Sequence, residues 1–192
     1  MTIKRLGLDI DGTVTSPKTF LPYLNSSFNK QLSLHDITQY NLANLLGIPQ
    51  KEFFEWLKTN EEKIYANALI ADQAHPILEE WKVDYELFYI SARGDHLLNT
   101  TKDWFTSNAV PYHHIELIGK HDKIDSIKEH SVDVFFEDKY DNACAIAEEC
   151  EIPVILFDTP YNQGKLPSNV SRMETWPEAH LWLKHHNKSG RA

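Results

Sequence analysis

The sequence predicts an α/β fold: a parallel sheet between layers of helices, with a helical insertion after the first strand. Three observations predict it. From Tyr85 onward, short apolar runs alternate with helical patterns, the signature of parallel strands buried on both faces and joined by crossover helices. Three of the apolar runs end in polar or acidic residues, and open parallel sheets bind ligands outside the carboxyl ends of their strands. Residues 18 to 82 read as helix throughout, far longer than a crossover needs. The chain has 192 residues, which suits one core of ordinary size plus a small inserted subdomain.

Leu6 to Ile10 is an apolar run broken by Asp9 and closed by Asp11-Gly12-Thr13, a strand ending in a loop. Within the insertion, Ser33 is an N-cap with Asp36 in a capping-box position. Pro49 suits the first turn of a helix through Phe53, Phe54, Trp56 and Leu57. Pro76 opens another with Ile77, Leu78 and Trp81. Tyr85 to Ile90 is the second strand, followed by a helix from about Asp95 to Asn108. His114 to Ile118 is a strand and Lys123 to His130 a helix. Val132 to Phe136 is a strand and Asp141 to Cys150 an Ala-rich helix. Pro153 to Phe157 is the fifth strand, residues 158 to 169 are turn-rich, and Pro177 begins a last helix. The expected division is a core of residues 1–17 and 81–192 and a cap of residues 18–80.

Nineteen Lys and Arg against 28 Asp and Glu leave a net charge of −9. Such a surface repels nucleic-acid backbones, yet a small phosphate ester can still sit in a local pocket. No window is long and apolar enough to span a membrane. The first apolar run is too short for a signal peptide and contains acids, so the cytoplasm is the expected compartment. Cys144 and Cys150 project to different helix faces and should not pair. His113-His114 and His185-His186 have no i,i+4 partner and read as surface or tail histidines.

The chemistry gathers at strand ends. Asp9 and Asp11 are two apart and share a face; two carboxylates there need a cation or proton between them. Gly12 permits a sharp turn and Thr13 adds a hydroxyl. Ser91 follows the second strand, and Glu137-Asp138 follows Val134-Phe135-Phe136, with Asp141 one helical turn on. Lys123 supplies positive charge; it lies ten residues before Asp133, room for one helix and then a strand, which favours it over Lys120 and Lys128.

In this order the motifs resemble the haloacid dehalogenase superfamily. Leu8-Asp9-Ile10-Asp11-Gly12-Thr13-Val14 is similar to its first motif, Ile90-Ser91 to its second, Lys123 to its third and Phe136-Glu137-Asp138 to its acidic fourth. The insertion, Ser91-Ala92-Arg93 and the run from Phe136 to Ala143 look most like the 5'(3')-deoxyribonucleotidase family and the bacterial nucleotidases grouped with it. The resemblance implies a three-layer, Rossmann-like sheet with a small helical cap. It implies a phosphatase in which Asp9 attacks phosphorus and Asp11 moves the proton. Mg2+ would be held by Asp9, the Asp11 backbone carbonyl and Asp138. Gly12, Thr13, Ser91 and Lys123 would bind the phosphoryl group, and Arg93, Glu137 and Asp141 would support the site. The expected substrate is a small phosphate monoester, a nucleotide, with Phe20 and Tyr23 the first candidates to stack on its base and Tyr40, Phe53 and Trp56 behind them. Two readings compete: the same chemistry on a sugar phosphate or phosphoglycolate, and a non-catalytic phosphoaspartate signalling protein. The oligomeric state stays open.

Overall fold

The computed structural model describes residues 3–188. Six parallel strands form one sheet in the order β3-β2-β1-β4-β5-β6. They are β1 (Arg5–Leu8), β2 (Glu86–Ser91), β3 (His114–Leu117), β4 (Val134–Glu137), β5 (Val154–Phe157) and β6 (Val170–Met173). The insertion carries α1 (Leu21–Phe28), α2 (Leu42–Leu46) and α3 (Gln50–Ala66). The sheet is flanked by α4 (Ala74–Asp84), α5 (Leu98–Ser107), α6 (Ile124–Glu129), α7 (Tyr140–Glu149) and α8 (Trp176–Lys188).

Period-two alternation divides the strand side chains between two apolar layers. Leu6, Leu8, Leu87, Tyr89, Val134, Phe136 and Ile155 face Leu78 and Trp81 of α4, Trp104 and Phe105 of α5, and Ala179 and Leu183 of α8. Ile90, Phe135, Val154 and Leu156 face Ile124 and Ile127 of α6 and Ala143 and Ile146 of α7. Each large side chain so buried stabilises the fold by about 1.5–3 kcal/mol. Gly7 sits where any Cβ would run into the Phe135 ring.

Three differences from the sequence reading have physical causes. β6 is a sixth strand; only Val170 of its four residues is fully buried, so this edge strand has no apolar run. The insertion is not helical throughout: Ser33 and Asp36 form their capping box around a single 3-10 turn, Leu34–Asp36. And α4 lies on the sheet, its Ala74, Ile77, Leu78 and Trp81 buried in the main core, so the division expected at residues 80/81 falls inside a core helix. The segment with an apolar centre of its own, built on Leu24, Ala43, Leu46 and Phe53, is α1 to α3.

The insertion leaves and returns as paired stems. Ser16 N donates to the Leu69 carbonyl at 2.7 Å and Ala71 N to the Val14 carbonyl at 2.9 Å, around an antiparallel Thr15–Ile70 bridge. Trp104 Nε1 anchors the return through the Ala68 carbonyl at 2.8 Å. Just before that return, at the end of α3, Ile64 and Tyr65 bury against Leu97, next to the start of α5. These two attachments hold α1–α3 over the carboxyl ends of the strands. Both cysteines are free thiols. Among the described residues no helix is long and apolar enough to cross a membrane.

Candidate active site

The chain runs outward from β1 to β2 and β3, then returns to β4 on the other side of β1. The strand order reverses beside β1, and a crevice opens there at the carboxyl ends. Asp9 stands at that point, its N–H donating to the Phe136 carbonyl at 2.9 Å. The chain then makes a wide, non-helical turn over Ile10–Val14, closed by Thr15 N donating to the Ile10 carbonyl at 2.8 Å, with Gly12 at φ +81°. A side chain at Gly12 would be strained by that φ and would run into the Asp138 carboxylate.

Lys123, at the N-cap of α6, reaches inward and is buried. Its Nζ donates to Asp9 Oδ1 at 2.5 Å and to Glu137 Oε2 at 2.7 Å. Glu137 also accepts from Lys139 N at 3.1 Å, which braces the turn after β4. Asp138 accepts from the Tyr161 hydroxyl at 2.5 Å. Asn162 Nδ2 donates to the Asp138 carbonyl at 2.6 Å and the Phe157 carbonyl at 2.7 Å, tying the ends of β4 and β5 together.

Asp11 is held differently. Arg93 Nε donates to its Oδ2 at 2.9 Å and a terminal guanidinium nitrogen to its Oδ1 at 2.7 Å. This two-point fork suits a guanidinium and fixes the carboxylate plane. The other terminal nitrogen donates to Thr101 Oγ1 at 3.0 Å, and the guanidinium lies 4.1 Å over the Tyr65 ring. Ser91 is buried, its Oγ accepting from Arg93 N at 3.2 Å.

Four carboxylates, Asp9, Asp11, Glu137 and Asp138, thus stand against two buried cations: Lys123 pairs with Asp9 and Glu137, and Arg93 with Asp11. Burial raises the Asp9 carboxyl to about 7 against the pull of Lys123, with Glu137 and Asp11 adding to the rise. Burial also pushes Asp138 well above the usual carboxylate range, reinforced by Glu137 and Asp9. Lys123 is opposed by burial, but Asp9 and Glu137 outweigh it and hold the ammonium above its usual value. Oxygens of Asp9, Glu137 and Asp138 lie within 4.8 Å of one another. A buried, over-negative cluster of hard oxygen donors fits a small divalent cation.

The cluster forms the floor of a cavity of about 480 Å³. Its outer wall is supplied largely by the insertion, with Phe20, Leu24, Tyr40, Phe53 and Leu57. Polar groups therefore converge at one end of an otherwise apolar pocket, the usual build of a small-molecule site.

No family model matches the chain. It is 57% identical over 180 residues to "Putative nucleotidase BH1399" of Halalkalibacterium halodurans, covering 94% of this chain and 92% of that protein. It is 49% identical over 185 residues to "Putative nucleotidase YqfW" of Bacillus subtilis, covering 95% and 96%. The fold superposes on a haloacid dehalogenase-like hydrolase of Streptococcus pneumoniae with a TM-score of 0.66 at 14% identity, covering 94% of this chain and 98% of that one. The chain belongs to the family of these putative nucleotidases.

In this member of the nucleotidase family, Asp9, Asp11, Gly12, Ser91, Arg93, Lys123, Glu137 and Asp138 all line the one cavity. Lys120 is on the surface, 3.9 Å from Asp125, and Lys128 is exposed. Thr13 is buried behind the turn, its hydroxyl without a partner, and is not part of the cavity lining. Asp141 is exposed, and its neighbour Asn142 lines the cavity instead. Phe20 lines the cavity, whereas Tyr23 packs behind it against the Ile64–Leu97 cluster. Tyr161 and Asn162 escaped the sequence reading. The available signal was their place after the carboxyl end of β5, the same rule that singled out the groups after β1, β2 and β4.

Proposed function

We propose that the protein is a Mg2+-dependent phosphomonoesterase that acts through an aspartyl-phosphate on Asp9 and takes nucleoside monophosphates. The observation that carries this reading is the buried cluster of Asp9, Lys123, Glu137 and Asp138 on the floor of a half-apolar cavity. Lys123 holds Asp9 Oδ1, which leaves Oδ2 to attack phosphorus. The P–O bond to the leaving group breaks, and that oxygen takes a proton from Asp11. Asp11 then takes a proton from the water that hydrolyses the acyl phosphate. Arg93 keeps the Asp11 carboxylate oriented, and each of its oxygens retains a lone pair for this work. Lys123, Ser91 and N–H groups near Gly12 offset charge on the phosphoryl oxygens. The metal would be held by Asp9, Asp138 and the Asp11 carbonyl, with Glu137 bracing through Lys123. When bound it neutralises the excess carboxylate charge and polarises the phosphoryl group.

A panel of deoxyribonucleotides, ribonucleotides, sugar phosphates, phosphoglycolate and p-nitrophenyl phosphate tests this directly. With Mg2+, nucleotides should rank highest, and EDTA should abolish turnover. Activity that survives chelation would remove the metal from the reading. Sugar phosphates ranking level with nucleotides would remove the nucleotide and leave the phosphatase.

The position of Phe20 sharpens the test. If it faces the base, Phe20→Ala should lower kcat/KM for nucleotides by about 1–3 kcal/mol, the value of a base–aromatic stack, and spare p-nitrophenyl phosphate. Tyr23→Ala should lower both substrates alike or neither, because Tyr23 is packed behind the wall. An unchanged substrate ratio in Phe20→Ala would place the base elsewhere in the cavity.

A further inference from the structure

We infer that His114, Glu116 and His130 form a second metal site, at the sheet edge and outside the catalytic cavity, that takes a zinc-type dication. His114 and Glu116 are two apart on β3, so their side chains share one face of the edge strand. His130, the C-cap of α6, comes back over that face. One ligand atom from each of the three lies within 4.8 Å of the others. The imidazole centroids are 4.5 Å apart, and His130 Nε2 is 3.0 Å from Glu116 Oε2. Ligand atoms on one tetrahedral ion stand about 3.4 Å apart when bonds are 2.0–2.2 Å. Small side-chain rotations therefore close the site without a backbone shift.

The surroundings are built to aim the ligands. Ser126 Oγ donates to Glu116 Oε1 at 3.2 Å, leaving Oε2 directed at His130, as supporting hydrogen bonds do around metal ligands. The Phe88 ring lies 5.6 Å from His114 and 5.2 Å from His130 and backs both imidazoles with apolar surface. Two nitrogens and one carboxylate suit zinc or cobalt and leave a fourth position for water. The catalytic cluster offers only oxygens. The new site also has a mechanical consequence. α6 starts beside Lys123 and ends at His130, and β3 leads into the loop that carries Lys123. An ion joining His130 to β3 ties down the far end of the segment that delivers the catalytic-site lysine.

Co2+ is the probe, because its visible absorption reports coordination geometry. It is titrated into full-length protein in excess Mg2+, which fills the oxygen site. The expected result is one equivalent bound with a four- or five-coordinate visible band. The band should persist in Asp138→Asn and be displaced by Zn2+. His114→Ala and His130→Gln should each weaken Co2+ binding by more than the roughly 10–100-fold that loss of a supporting hydrogen bond costs. Both variants should keep wild-type circular dichroism, and Zn2+ should raise the Tm of wild type but not theirs. Three outcomes would overturn the site: no band in wild type, unchanged affinity in both folded histidine variants, or a band lost in Asp138→Asn and kept in His130→Gln.

Discussion

Asp9→Asn is expected to lower kcat by at least about 10⁴-fold on every phosphomonoester, the scale of losing a covalent nucleophile. The amide oxygen is too weak a nucleophile to displace the leaving group. The variant should still fold, because Lys123 keeps its ion pair with Glu137 at 2.7 Å. Steady-state kinetics with thermal melting checks both halves. Near-wild-type turnover by the asparagine variant would end the covalent route. Asp11→Asn should behave differently. Proton transfer is worth about 10²–10⁴-fold, so its loss is smaller. Its stability should fall as well, since the Arg93 guanidinium is completely buried and Asp11 is its carboxylate partner.

Lys123→Ala should be the second large effect, and it has two parts. Removing a cation beside the transferring phosphoryl group should cost about 2–4 kcal/mol in the transition state. Removing the buried partner of Asp9 and Glu137 leaves two carboxylates facing each other, and breaking such a pair costs about 3–5 kcal/mol of stability. Mg2+ should recover part of the second loss, because it binds the folded cluster. Lys120→Ala is the control. Its lysine is more than half exposed and 3.9 Å from Asp125, so both effects should stay within about 0.5 kcal/mol. The measurements are kcat/KM and urea unfolding with and without Mg2+. Equal effects of the two substitutions would take Lys123 out of the site.

The sequence by itself determined the sheet, and with it the neighbourhood of the chemistry. Short continuous apolar runs, spaced by helical patterns, leave few arrangements other than a parallel sheet with helices on both faces. In such a sheet all carboxyl ends lie on one side, so Asp9, Ser91 and Glu137-Asp138 had to arrive together. Those are local and one-dimensional signals, readable residue by residue. Partner choice is not of that kind. Arg93 clasps Asp11 across 82 positions and Lys123 reaches Asp9 across 114, and nothing near either residue announces the pairing. Tyr161 joins Asp138 only because β5 lies beside β4. His114 shares a strand face with Glu116, but the two meet His130 only because α6 folds back along β3. β6 and the true place of α4 belong to the same class, since half-buried edges and amphipathic helices acquire their positions from what they pack against. Patterning decides which face a side chain takes, and only the assembled layers decide which atoms it meets there.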